Sequence, residues 1–372
     1  MKSHLPQVHF LPGQRFECTS CGKCCASGWK VPVNKQAREI IEESQVYAEV
    51  KKEGYLPLQI ADDGKASIGR QANGACVFLA EDDLCNLHRE VGLEKKPVVC
   101  RTYPRVVTNT PDGYFVSLSF ACPAVLDNQG VLLSEEKLEI QELLQAFDSE
   151  VPQNVPLKER VRIAADQELP WKDYRALEER LLESFDARRP ALSTLAMAEQ
   201  LMRACSSREL SLLLQNGFDQ DEQTSPLASQ LLDVFTLHCL AILELETAPD
   251  ERVGLMERLV GGESVVSTRH GFPLHLSDIL SEARAEDVES IRFYFQNIVF
   301  GKRLKNSSVT SGLITVAVGM SLLLFYLEVF RRGLSDQEAR ERAFEIVEAD
   351  VVTHSSGLDV LLDEFGKALA GE

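Results

Sequence analysis

The segment FECTSCGKCCASGW, residues 16–29, places four cysteines within eight positions: Cys18, Cys21, Cys24 and Cys25. Two-residue gaps let a tight turn bring neighbouring sulfurs towards one ion, and two overlapping CxxC pairs are more specific than one. A chain of 372 residues needs neither disulfides nor metal merely to fold. The density of thiols at this point therefore predicts a metal site that organises the surrounding loops.

Four further cysteines lie in the first third of the chain: Cys76, Cys85, Cys100 and Cys122. The N-terminus has no continuous apolar stretch and no small-residue cleavage site, so we expect a cytoplasmic protein, in which stable disulfides are rare. We predict that these eight cysteines form the metal-binding set. Disulfides, inert thiols and a metal-free catalytic thiol remain as alternatives. Cys205 and Cys239 fall in apolar helical patterns and are predicted to be core residues.

The adjacent cysteines Cys24 and Cys25 bear on the kind of metal. Neighbouring side chains diverge, so both are hard to place on one mononuclear ion without strain. This favours an iron–sulfur cluster, [4Fe–4S], over zinc, whereas two four-thiolate zinc sites remain an alternative. His88, three residues after Cys85, is a further candidate ligand.

Aromatic and cationic side chains flank the cysteines and are candidate cofactor-binding residues: Trp29, Arg101, Tyr103 and Arg105. Arginines can bind an anionic group such as a carboxylate or phosphate, and Trp29 can serve as an aromatic platform. The structural alternative is that Trp29 covers the cluster, Tyr103 packs beneath the metal loop and the arginines balance thiolate charge.

The charge is unevenly distributed along the chain. The formal net charge is −18, yet residues 1–125 hold 15 Lys/Arg against 14 Asp/Glu, and the remainder holds 24 against 43. An acidic surface repels phosphate backbones and anionic headgroups, so neither nucleic acid nor a membrane is an expected partner. Nucleotide-binding, HExxH and GxSxG motifs do not occur in the sequence.

The pattern of the chain predicts a mainly α fold. Residues 1–125 are broken by Pro and Gly and predict an irregular cysteine-rich metal-binding domain with a few short strands; residues 126–170 are a helix and connector; residues 171–372 are an all-α domain. In the first part we predict a helix over 33–54 and a strand over 114–121. In the last part, Ser193, Ser225 and Ser335 are predicted N-caps and Gly217 a helix stop.

Residues 306–327 contain no charged side chain and are long enough to cross a bilayer. Amphipathic helices on both sides need a central partner, so we interpret this segment as a buried core helix, with a membrane span as the alternative.

The pieces FECTSCGKCC, CVFL, LCNLH, CRTYPR and Cys122-Pro123 together resemble the YkgJ-type CxxCxxCC family, which is described as a zinc- or iron-chelating domain. The chain is also similar to flagellin lysine-N-methylase, in which a Gly-Trp pair like Gly28-Trp29 and a CxxYPR motif like that at Cys100 follow the cysteine cluster. That resemblance implies an iron–sulfur cluster, S-adenosylmethionine and methyl transfer to a lysine-rich protein.

The tighter CxxCxxCC spacing and the CPAV sequence after Ser119 depart from the methylase pattern. Whether the chain is an enzyme, and its oligomeric state, therefore stay open. A third possibility is a zinc-stabilised scaffold whose acidic helices bind a partner.

Overall fold

The structure, a computed structural model, describes residues 5–150, 157–164, 167–245, 249–267, 269–279, 281–304 and 308–353 together with Phe365 and Leu369. Helices make up 53% and strands 13%, which confirms the mainly α class predicted from the sequence. The strands within the described residues are short: β1 Val8–Phe10, β2 Arg15–Phe16, β3 Pro32–Val33, β4 Leu58–Ile60, β5 Ala66–Ile68, β6 Arg105–Thr110, β7 Gly113–Leu118, β8 Val131–Leu132, β9 Arg160–Ala164, β10 Gln167–Pro170, β11 Val265–Val266 and β12 Pro273–Leu274.

The helices become longer towards the end of the chain. Their bounds are α1 Lys23–Ala26, α2 Lys35–Glu43, α3 Gln45–Lys52, α4 Asn86–Val91, α5 Val98–Thr102, α6 Pro123–Leu126, α7 Lys137–Glu150, α8 Trp171–Ser184, α9 Pro190–Ser206, α10 Leu210–Asn216, α11 Pro226–Glu244, α12 Pro249–Val260, α13 Val288–Phe300, α14 Val309–Phe330 and α15 Asp336–Ile346. Short 3₁₀ turns occur at Leu93–Lys95 and Leu276–Asp278, and Val347–Thr353 is π-helical.

The chain packs as two compact units. The first contains Met1–Val107 and Cys122–Val155, and the second contains Thr108–Ala121 and Pro156–Glu372. Residues 108–121 thus pack with the helical unit, although they lie in sequence between Cys100 and Cys122. The boundaries predicted at residues 125 and 170 stay a prediction, because packing alone does not test them.

The first unit is built from short elements around one apolar cluster. Its sheet has the order β3-β5-β4, and β2 pairs with β8 in antiparallel fashion. Ile41, Val50 and Phe78 are buried in the cluster, and Cys25, Cys85 and Cys100 pack against it. Part of the thiol set therefore belongs to the core of this unit.

The helix predicted over residues 33–54 is two helices in the structure, α2 and α3. Ser44 separates them, because its backbone is extended (φ −73°, ψ 152°) and its hydroxyl caps α3 by accepting from the Tyr47 amide at 3.2 Å. The Glu90 carboxylate accepts from the next two amides, those of Gln45 at 2.6 Å and Val46 at 2.8 Å. Glu90, which lies 45 positions after Gln45, thus stabilises the break between α2 and α3, and the local sequence pattern does not show this break.

The second unit is organised around α14. Every residue of this helix is buried except Ser311 and Glu328, and α9, α11 and α15 pack against it. Gly312 lies directly against the Leu304 backbone, where an added Cβ would come within 2.6 Å of the carbonyl oxygen. The predicted apolar segment 306–327 is therefore the central helix of this unit, shifted so that it begins at Val309; residues 306 and 307 lie outside the described residues.

Among the described helices, α11 and α14 are long and apolar enough to cross a membrane by length and composition. In α14, 94% of the most apolar window is buried inside the protein, compared with 44% in α11. The burial of α14 matches the core-helix interpretation of its sequence.

A buried ion pair lies inside the second unit. The Nζ of Lys302, which is 0% exposed, is 2.8 Å from a carboxylate oxygen of Glu178 on α8 and 4.0 Å from the ring centroid of Phe115. Burial lowers the pKa of Lys302 to about 8, although the Glu178 carboxylate acts in the opposite direction. The aromatic face and the carboxylate together compensate an ammonium group that water cannot reach.

Glu178→Gln should destabilise the protein by about 3–5 kcal/mol, because it leaves a buried charge without its partner. Glu183→Gln on the same helix is the matched control: this carboxylate pairs with Arg180 at 2.7 Å but its side chain is 61% exposed. The control substitution should lower the free energy of unfolding by about 1 kcal/mol or less. Denaturant unfolding of the two variants measures the difference, and equal losses would contradict the assigned role of the buried pair.

Candidate metal centre

The CxxCxxCC loop is held on one side by the segment that follows Cys122. Strand β2, two residues before Cys18, pairs with β8, and the Arg15 amide donates to the Asn128 side chain at 2.8 Å. Gly130 (φ +98°) lies so close that an added Cβ would be 2.4 Å from the Cβ of Glu17. Cys122 and Cys18 therefore enter the same region although they are far apart in sequence.

The other side of the loop contacts the segment that carries Cys76 and Cys85. Gly22 adopts φ +68°, and a Cβ there would lie 2.8 Å from the Cβ of Asp83 and 2.9 Å from its carbonyl oxygen. The Cys76 amide donates to the Cys25 carbonyl at 2.8 Å. The cysteine loop is thus fixed between two separate supports, one on each side.

Helix α1 separates the two adjacent cysteines. Cys24 and Cys25 are consecutive residues of this single turn, which begins after Gly22 in the left-handed conformation. Consecutive positions on an α-helix differ by about 100° in direction. The two sulfurs are 4.0 Å apart, and the hydrogen bond between them raises the pKa of Cys24 and lowers that of Cys25 to about 6.

Cys25 lies with one group of thiols, which we call the core set: Cys25, Cys76, Cys85 and Cys100. All four belong to the apolar cluster of the first unit or pack against it. Burial raises the pKa of Cys76 to about 11, and the nearby sulfurs of Cys25 and Cys85 raise it further. Burial likewise raises the pKa of Cys100 to about 12, again with contributions from Cys76, Cys25 and Cys85.

Short backbone contacts position the core set. Cys76 begins a tight turn in which the Leu79 amide donates to its carbonyl at 3.0 Å, and Leu79 in turn forms an isolated bridge with Cys85. Cys85 is the N-cap of α4, where its sulfur accepts from the His88 amide at 3.4 Å. Cys100 lies in α5. Three separate local structures therefore direct these thiols to the same apolar cluster.

Cys24 lies with the remaining thiols, the outer set: Cys18, Cys21, Cys24 and Cys122. The hydrogen bond to Cys25 and burial raise the pKa of Cys24, and the charges of Cys25, Cys18 and Cys122 act in the same direction. Burial raises the pKa of Cys122 to about 11. The charges of Cys21 and Cys18 act in the same direction, whereas hydrogen bonds from the Val125 and Ala124 amides act in the opposite direction. Cys18 and Cys21 are exposed to solvent, unlike any member of the core set.

The thiols of each set lie in one region, but their sulfurs do not converge on a common point. In the described ranges, no three His, Cys, Asp or Glu side chains converge closely enough to hold a metal ion as they stand. Ligation therefore requires rotation of cysteine side chains. All ten cysteines are within the described residues and all are free thiols, so the four of each set are available to rotate.

A buried guanidinium next to the core set fits a bound anionic centre. Arg70 forms an isolated bridge with Cys76, and both of its terminal Nη atoms are buried with no hydrogen-bond partner in the part of the chain that the structure describes. Its charge and that of Lys96 both lower the pKa of Cys25. A buried cation without a partner is costly unless an anion compensates it, and thiolates on a metal supply that charge. Neither Arg70 nor Lys96 stands in a motif, so the sequence pattern does not reveal either residue.

The predicted flanking residues occupy different surroundings. Trp29 packs against the apolar cluster and meets Tyr103 edge to face, with ring centroids 4.5 Å apart. Arg101 pairs with Glu94 at 3.3 Å, and Arg105 pairs with Glu136 at 2.6 Å. The structure thus brings the two aromatic residues together and gives each arginine a carboxylate partner. Their role in cofactor binding stays a prediction.

His88, the additional candidate ligand, is an exposed residue of α4. Its backbone amide, which donates to Cys85, is what connects it to the core set. A ligand role for its ring stays a prediction. Cys205 in α9 and Cys239 in α11 are buried in the second unit, as their apolar patterns predict, and burial raises the pKa of Cys239 to about 12.

Comparison with known families supports metal binding by the first unit. Residues 17–123 match the CxxCxxCC family, described as "Putative zinc- or iron-chelating domain". This match contains all eight cysteines of the two sets and confirms the resemblance predicted from the sequence. The metal is named only as zinc or iron, so the match does not distinguish the two.

Three curated proteins are similar over part of the chain. Lysine-N-methylase of Salmonella typhimurium is 26% identical over 137 residues, which are 34% of this chain and 34% of the methylase. Flagellar biosynthetic protein FliU of Salmonella muenchen is 25% identical over 132 residues, 33% of this chain and 78% of FliU. An uncharacterized protein of Methanocaldococcus jannaschii is 30% identical over 93 residues, 25% of this chain and 30% of that protein.

The chain therefore spans about a third of the length of the methylase that it resembles. No solved structure matches this chain. The similarity to a named methylase is limited in extent, and it does not by itself assign an activity to this protein.

Gly22→Ala tests whether the contact with Asp83 positions the cysteine loop. The matched control is Gly64→Ala, since Gly64 also has positive φ (+80°) but no atom within 4 Å of an added Cβ. Both changes carry the cost of a left-handed alanine, about 1 kcal/mol. Only Gly22→Ala should also reduce the metal content of purified protein, because the collision displaces the loop. Equal metal content and equal melting temperatures would contradict the assigned contact.

Proposed function

We propose that the first unit is an iron–sulfur domain and that the outer set holds a [4Fe–4S] cluster. The observation that carries the proposal is the placement of Cys122 near Cys18, Cys21 and Cys24. A CxxCxxC run completed by a remote Cys-Pro is the ligand arrangement of a [4Fe–4S] cluster in bacterial ferredoxins. In this chain Cys122 is followed by Pro123, so the outer set likewise combines a CxxCxxC run with a remote Cys-Pro pair.

Two features of the outer set support iron over zinc in that position. The Ala124 and Val125 amides stabilise the Cys122 thiolate, and amides near cluster sulfurs are a means by which proteins tune such clusters. In this proposal Cys24 and Cys25 belong to different sets, so their adjacency no longer requires a polynuclear centre. The spacing and the remote Cys-Pro therefore replace adjacency as the argument for iron. A cytoplasmic location fits the proposal, because reducing conditions keep the thiols unpaired.

A second candidate function is methyl transfer to lysine on a lysine-rich protein. The similarity to lysine-N-methylase supports it, as does an open groove of about 340 Å³ in the first unit. Lys30 and Arg70 line this groove together with Gly28, the neighbour of Trp29. The exposed Lys30 side chain at the groove suits the carboxylate of S-adenosylmethionine, which would supply the methyl group. The strongly acidic remainder of the chain suits a basic protein substrate.

The iron–sulfur proposal predicts iron and acid-labile sulfide in protein purified without oxygen, together with visible absorption that bleaches on reduction. Cys18→Ser should lose the iron, because it removes one ligand of the outer set. Cys205→Ser is the control, since Cys205 is a core residue of α9, and it should retain the metal. Colourless wild-type protein that contains zinc and no iron would refute the proposal.

The methyl-transfer proposal predicts that metal-loaded protein binds S-adenosylmethionine and transfers a labelled methyl group to flagellin or another lysine-rich protein. Trp29→Leu should weaken binding at least several-fold, because it removes the aromatic surface beside Gly28. Tyr55→Leu changes an exposed aromatic residue of the same unit and serves as the control. Calorimetry that detects no cofactor binding to the loaded wild type would exclude this function.

A further inference from the structure

We propose that the core set, Cys25, Cys76, Cys85 and Cys100, is a second metal site that holds one zinc-type ion in a closed four-thiolate shell. This inference rests on the proposed metal-binding function but does not depend on iron in the outer set. It assigns the two adjacent cysteines to different metals: Cys24 to the outer centre and Cys25 to the core centre.

Packing is the first argument for a separate site. The core set lies with the apolar cluster of the first unit, whereas Cys18 and Cys21 are exposed to solvent. A structural zinc site fits the position of the core set, because structural zinc has four protein ligands and no coordination position open to solvent. The ligands come from α1, the Cys76 turn, the start of α4 and α5, so a bound ion would connect four separate local structures.

Charge is the second argument. When an ion of charge +2 binds four thiols, each ligand gives up its proton and the completed centre carries a net charge of −2. Arg70 and Lys96 lie close enough to the core set to act on Cys25, and two cations offset this charge. Among the described residues, the buried Nη atoms of Arg70 have no hydrogen-bond partner.

Local geometry is the third argument. The His88 amide already donates to the Cys85 sulfur at 3.4 Å, as is usual around a metal-bound thiolate. The Gln71 side chain donates to the carbonyls of Cys76 at 3.0 Å and Leu79 at 3.1 Å, and so fixes the turn that presents Cys76. Hydrogen bonds from His88 and Gln71, which are not ligands of the proposed ion, therefore support the positions of Cys85 and Cys76.

Cys24→Ser and Cys25→Ser form a matched pair for the test, because the two changes are identical and adjacent. Zinc, iron and sulfide are measured in the full-length protein purified anaerobically, together with the melting temperature. Cys25→Ser should lose zinc, keep iron and melt at a lower temperature. Cys24→Ser should lose iron, keep zinc and melt close to the wild type.

Arg70→Met keeps all eight cysteines and covers the case in which Cys25→Ser does not fold. It should release zinc to a chelator several-fold faster than the wild type, with unchanged iron content. Cobalt, used as a probe in place of zinc, should give sulfur-to-cobalt absorption and tetrahedral ligand-field bands in wild-type protein, and the Arg70→Met variant should bind it more weakly.

Loss of the same metal from Cys24→Ser and Cys25→Ser would overturn the inference, since it would mean one shared polynuclear centre. Retention of zinc by Cys25→Ser, or unchanged zinc release from Arg70→Met, would overturn it as well. Wild-type protein that lacks iron, but loses its zinc only in Cys25→Ser, would refute the cluster in the outer set and support the core site.

Discussion

The first unit depends on the geometry of one helical turn. Helix α1 carries Cys24 and Cys25 in consecutive positions with their sulfurs 4.0 Å apart, and of the two only Cys25 packs against the apolar cluster. The turn is fixed at Gly22, whose left-handed backbone lies directly against Asp83. The segment after Cys122 contacts the residues before Cys18, whereas Asp83 and Cys76 contact Gly22 and Cys25, so the distant cysteines reach this loop at two different points.

This constraint links sequence, packing and chemistry. The same four-cysteine segment enters an apolar cluster through Cys25 and a solvent-exposed region through Cys18 and Cys21. A buried site that has cations nearby can compensate the charge of a closed four-thiolate shell, while an exposed site can exchange electrons or ligands with its surroundings. In the proposed account the core centre orders the unit, and the outer centre is the one accessible for chemistry.

Local patterns in the sequence predicted part of this arrangement. The CxxCxxCC loop, the helical periodicity of the second unit and the N-caps Ser225 and Ser335 follow from short-range chemistry, and the structure confirms the two caps. The cap predicted at Ser193 is wrong, because α9 begins at Pro190 and Ser193 accepts from the Asp186 amide instead. A proline three positions earlier starts that helix, and proline suits the first turn.

The features that the sequence did not reveal depend on distant partners. The break at Ser44 is stabilised by Glu90, and Arg70 gains significance only when the core set assembles beside it. The grouping of the cysteines is equally non-local, since spacing shows which thiols are near in sequence but not which side of α1 each remote cysteine approaches. A single sequence therefore predicts which cysteines are ligands better than it predicts how they divide between the core set and the outer set.

X-ray absorption at the zinc and iron edges of the same anaerobic sample tests this division most directly. Two separate sites should give zinc with four sulfur neighbours at about 2.3 Å and no nearby metal, and iron with sulfur neighbours and a second shell of iron. Zinc with nitrogen or oxygen in its first shell, or one metal alone that occupies all eight cysteines, would contradict it.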